Sequence, residues 1–168
     1  MTLAYVFFLL VLFQGKHFVA DFPLQTDYML RKFSPDWRVW IPALSAHAGV
    51  HAFFTFYIVV FVMHGYPYFG VPLALALAAL DFVVHFTMDR IKASPNLLGR
   101  YKNLSARDYM YYKRIMEQAG NHPNVHIQVN KVFRSNRNFW WALGFDQMVH
   151  HLTHYAVIYA MVAWTILH

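Results

Sequence analysis

Four stretches of the chain are long apolar runs, each broken by a few polar positions at helical intervals. They extend from about 2 to 20, 41 to 63, 70 to 91 and 139 to 167. A helix that crosses a bilayer needs about 20 mostly apolar residues. The pattern therefore predicts an all-α integral membrane protein, a four-transmembrane-helix bundle. Pro42 suits a first-turn position of the second run. The first run has no basic start, and it ends in Lys16, His17 and Asp21 instead of a small-residue cleavage site. It is expected to be a mature span and not a secretory leader.

The connection 92–138 is long for a simple link. Ser105 and Asp108 have capping-box spacing, and Gly120 is a suitable stop. Between them Tyr109, Tyr112, Met116 and Ala119 share one helical face, with Lys113 and Arg114 off it. This predicts a cytoplasmic amphipathic helix on the membrane surface. Beyond it, Val125, Ile127 and Val129 alternate with polar residues and suggest an extended segment. No internal repeat is visible, and 1–168 reads as a single membrane domain.

Composition strengthens the membrane reading. Only 13% of the 168 residues are charged, against about 25% in a typical soluble domain. The absence of cysteine excludes disulfide frameworks, thiolate zinc sites, iron–sulfur clusters and thiolate-ligated haem. The formal charge of +6 is a property of two connections. Lys16, Arg31, Lys32 and Arg38 flank the first. The other ten basic residues, from Arg90 and Lys92 to Arg137, flank the third. The positive-inside rule then puts both connections in the cytoplasm and both termini on the outer side of a bacterial inner membrane. Trp37, Trp40, Trp140 and Trp141 stand where interfacial anchors belong. The basic excess needs no nucleic acid to explain it, and no nucleic-acid motif is present. The expected partners are the lipid bilayer and, with it, anionic lipid; the bundle could also pair with itself through its outer faces.

The polar positions inside the runs carry the candidate chemistry. Ionisable groups are costly in a membrane, so each is a functional suspect. The first run has His17 and Asp21, the second His47 and His51, the third Asp81, His85 and Asp89, and the fourth Asp146, His150 and His154. Residues four apart stack on one helix face, about 40° from each other. In an up-and-down bundle all four sets fall at the cytoplasmic level. Six histidines and four aspartates exceed what one ion needs and suit one or two divalent metals, zinc first, iron or manganese otherwise. A hydrogen-bonded network gluing helices together is the plainer alternative. His151 lies off the shared face, and His64 and His168 lie toward the outer side. His122 and His126 fall in the connection, where solvation is the plain expectation. Gln25, Asp27 and Gln147 could orient ligands. Lys92, three residues after Asp89, could bind an anionic substrate group, although snorkelling to the interface explains it as well. Lys16 is expected to snorkel.

The run His17-Phe-Val-Ala-Asp21-Phe-Pro-Leu-Gln25-Thr-Asp27, the pair His47 and His51, the set Asp81, His85 and Asp89, and Asp146-Gln147 with His150 and His154 together resemble an uncharacterised bacterial and phage integral-membrane family, domain of unknown function 3307. The resemblance covers the four runs and not the long connection. It implies that these residues form the site, and it implies no reaction. In plan the chain is also similar to membrane-bound metal-dependent hydrolases.

The expectation is a membrane-embedded hydrolase with a mono- or dinuclear site at the cytoplasmic leaflet, acting on a phosphoester or lipid headgroup. Asp21, Asp89 or Asp146 would serve as general base or bridging ligand, and Lys92 would meet the substrate's charge. Two other classes share these donors. A di-iron redox enzyme would use the histidine spacings His47…His51 and His150-His151…His154, although four aspartates suit it less. A divalent-metal transporter or sensor would need polar groups in the outer halves of the spans, which are nearly free of them.

Overall fold

The computed structural model describes residues 2–65, 71–94, 97, 106–120, 122–125, 127–128 and 137–167. These residues form helices and no strand. Five α-helices follow in order: α1 (Leu3–Asp21), α2 (Trp37–Met63), α3 (Val71–Ala93), α4 (Ala106–Ala119) and α5 (Arg137–Leu167). A 3-10 helix, Met29–Phe33, lies between α1 and α2.

Three helices, α1, α2 and α3, are long and apolar enough to cross a membrane. At 31 residues α5 has the length, but its inward Asp146, Gln147, His150 and His154 dilute its hydropathy. Large apolar side chains point away from the bundle all along these helices, among them Phe7, Phe53, Phe61, Val83, Leu152 and Tyr159.

Local sequence sets the helix starts. Thr2 caps α1, its Oγ1 accepting from the Tyr5 N–H. Asp36 caps α2, its Oδ1 accepting from the Arg38 N–H at 3.0 Å. The strong Asp36 cap begins α2 four residues before the apolar run does. Pro42 therefore sits inside the helix, in its second turn, and not in the first turn. α4 stops where Gly120 adopts a left-handed φ of 53°, as a helix C-terminus commonly requires. On α4, Tyr112, Ile115, Met116 and Ala119 are half-buried while Arg114 and Glu117 are exposed, in line with the predicted amphipathic division at these positions; the side chains of Tyr109 and Lys113 lie outside those described. Ser105 and Val129 lie outside the described residues. The expected extended segment is corrected: Pro123–Val125 is helical, as is Ile127. Proline's fixed φ favours a first helical turn, and this outweighs a short alternation of apolar residues.

Successive helices α1, α2 and α3 alternate in direction. Tyr5, at the start of α1, donates from its hydroxyl to the Val62 carbonyl at the end of α2. The most extensive pairing is α2 on α3, and α5 packs on α3 and α1. One end of the bundle is apolar: Leu9, Phe13, Val59, Met63, Ala74, Leu77, Val157, Ile158 and Met161 form the core cluster. The other end holds nearly all the buried polar side chains. Truncating Phe13, which is wholly buried, to alanine should cost about 3–5 kcal/mol. Phe61→Ala, at an outward position, should change little. Thermal unfolding of the two variants in one detergent checks the contrast.

Candidate metal centre

Helical spacing puts each polar set on one helix face, and packing of the helices brings the sets together. His17 and Asp21 of α1, His47 and His51 of α2, Asp81, His85 and Asp89 of α3, and Asp146, His150 and His154 of α5 meet at one end of the bundle. Apart from Asp21, all are essentially excluded from solvent. The structure thus assembles all ten predicted side chains.

Asp21 is the point of convergence. Its Oδ1 lies 3.0 Å from His51 Nε2 and 3.4 Å from His47 Nε2, and its Oδ2 lies 3.2 Å from His17 Nε2. Metal–ligand bonds of about 2.0–2.2 Å give donor–donor edges of roughly 3.0–3.5 Å. The same separations also serve hydrogen bonds. His85 adds a further nitrogen. Its Nδ1 faces the Asp81 carboxylate at 3.0 Å, and its buried Nε2 has no hydrogen-bond partner among the described residues. A carboxylate on one ring nitrogen, with the other left for an ion, is the usual arrangement of a ligating histidine. His85 stacks between His51 and His150, at centroid distances of 3.7 and 3.8 Å. Three sets have donor atoms close enough for one ion: His17, His51 and His85; Asp21, His47 and His51; and Asp89, Asp146 and His150. Two of them share His51. Asp81 and His154 belong to none.

Of the three lysines at this centre, only Lys92 was a candidate from the sequence. Lys16 does not snorkel: it is buried, and its Nζ donates to Asp81 Oδ2 at 2.5 Å and to His154 Nε2 at 3.2 Å. The Thr55 hydroxyl donates to the same carboxylate oxygen at 2.6 Å. Lys32, expected only as a topological charge, enters from the 3-10 helix and donates to Asp89 Oδ2 at 2.6 Å and to Gln25 Oε1 at 3.2 Å. Burial pushes its ammonium down from the ordinary lysine value, and Asp89 pushes it back up. Lys92 does not snorkel either. It bridges two carboxylates, 2.9 Å from Asp89 Oδ1 and 2.6 Å from Asp146 Oδ2, and a quarter of its side chain stays exposed. Asp81, Asp89 and Asp146 thus each have an ammonium partner. Asp21 has none among the described residues.

Of the glutamines considered as orienting residues, Gln147 lies at the centre, with Oε1 2.8 Å from His17 Nε2 and Nε2 donating to Asp146. His151 pairs with Gln14 at the rim, 3.2 Å from Nε2 to Nδ1. Asp27 is exposed and is not brought to the centre. His64 is exposed at the far end, and His122 is exposed in the connection; His126 and His168 lie outside the described residues.

No family model, curated protein or solved structure matches this chain.

Breaking one buried ion pair should cost more than replacing both partners, since a lone buried charge is left uncompensated. Lys16→Met should therefore destabilise the protein by about 3–5 kcal/mol. Lys16→Met combined with Asp81→Asn should recover most of that loss. Denaturant or thermal unfolding of the two variants tests the pair.

Proposed function

We propose that this protein is a membrane-embedded, metal-dependent hydrolase acting on a phosphoester or a lipid headgroup. The observation that carries the reading is the convergence of three imidazole nitrogens on Asp21, with the unpartnered Nε2 of His85 beside them. Mixed imidazole and carboxylate donors suit zinc, and iron or manganese after it. Such an ion supplies Lewis acidity and lowers the pKa of a bound water.

The chain's own residues fill the remaining roles. Asp21, His47 and His51 bind the ion. Asp81 holds His85 in the ligating orientation. Asp146, 3.3 Å from His150 Nε2, accepts a proton. The partly exposed Lys92 meets the anionic oxygens of the substrate. The apolar core at the other end of the bundle supports hydrolysis over transport, because among the described residues it offers an ion no buried polar step beyond Thr55 and Lys16.

Purified protein should carry zinc, iron or manganese by elemental analysis, and the double variant His47→Ala, His150→Ala should fall to background. A metal-free wild type under several metal supplies would sink the proposal.

The reading includes four spans, both connections in the cytoplasm and both termini outside, with α4 on the inner membrane surface. The basic residues around the first and third connections support it. The lack of native cysteine makes a labelling test direct. An impermeant thiol reagent added to intact cells should modify Gly65→Cys and spare Leu97→Cys; the opposite pattern would reverse the orientation.

A further inference from the structure

We infer that the centre takes a single metal ion, held by Asp21, His47 and His51, whose donor atoms lie within reach of one ion, and that the Lys92 ammonium stands between Asp89 and Asp146 as the second cation. The inference rests on the metal-dependent reading above and settles its stoichiometry.

The argument is one of charge. The group Asp89, Asp146 and His150 is spaced for an ion, yet Lys92 Nζ already lies within 2.9 Å of one carboxylate and 2.6 Å of the other. Lys32 Nζ lies 2.6 Å from the remaining oxygen of Asp89. Two carboxylates and two ammonium groups sum to zero. A divalent ion added there would face both ammonium groups at close range, where two like unit charges 4 Å apart repel by about 4 kcal/mol even at an effective dielectric of 20. Asp21 presents the opposite case. It is the one carboxylate of the four without an ammonium partner among the described residues, and three histidine nitrogens lie within 3.4 Å of its oxygens. An ion at Asp21 gains a carboxylate and imidazoles and displaces no lysine.

The Lys92 ammonium thus does part of the work of a second metal. It holds Asp89 and Asp146 in place, and it offers positive charge to a substrate anion from the exposed side of the centre.

Titration of the purified, chelator-stripped protein with Zn²⁺ and with Mn²⁺, read by calorimetry and elemental analysis, tests this. Wild type should bind one ion per chain. Lys92→Met should bind two, and Lys92→Met with Asp146→Asn should return to one. Asp21→Asn should lose the ion, whereas Asp146→Asn alone should keep it, an arm that stands even if Lys92→Met fails to fold. Two ions in wild type, one ion in folded Lys92→Met, or loss of the ion in Asp146→Asn with retention in Asp21→Asn would each overturn the inference and leave the metal-dependent reading intact. No ion in wild type or any variant would overturn both.

Discussion

Charge placed inside a low-dielectric bundle has to be answered by charge, and the rest of this structure follows from that requirement. Four aspartates and three lysines are gathered at one end of a helical bundle. An isolated ionised group there would cost several kcal/mol. Each lysine therefore reaches a carboxylate on another element: Lys16 of α1 meets Asp81 of α3, Lys32 of the 3-10 helix meets Asp89 of α3, and Lys92 of α3 meets Asp146 of α5. These pairs fix the rotation of the helices about their axes. The apolar cluster around Phe13 and Met161 supplies close packing but is far less particular about register.

Once the pairs are drawn, the distribution of histidines makes sense. Rings that stack on one another, as His51, His85 and His150 do, crowd together comfortably when neutral and poorly when several carry charge. A neutral imidazole is also the form that ligates metal. The lysines neutralise three of the aspartates, so the rings need not. Asp21 is the exception among the described residues, and three imidazole nitrogens face it in place of an ammonium.

The sequence exposed one layer of this organisation and hid another. Histidines and aspartates four apart in apolar runs identify both a helix face and a depth, and all ten residues read from that spacing do meet. Intervals along a helix do not say which residue of another helix stands opposite. Lys16 and Lys92 sit at the ends of their apolar runs, where snorkelling is the ordinary fate of lysine. Only packing shows that they turn inward. Lys32 and Thr55 carried no signal: the former lies in a short 3-10 helix with no periodicity, and the latter is a hydroxyl of the kind that often bonds its own helix. The start of α2 was misplaced because a side-chain cap at Asp36 counts for more than the onset of hydrophobicity. The helix α5 shows the converse difficulty, since its inward Asp146, His150 and His154 lower the hydropathy by which a span is recognised.

The Lys16–Asp81 contact joins residues 65 positions apart in the chain, and Lys92–Asp146 joins residues 54 apart. Helices emerge from the ribosome in order, so α1 is made before the Asp81 carboxylate that answers its ammonium, whereas Asp89 of α3 finds Lys32 already made and Lys92 on its own helix. Neither helix is at ease in lipid alone. The buried charges of such a bundle are fully answered only when α1, the 3-10 helix, α3 and α5 stand together.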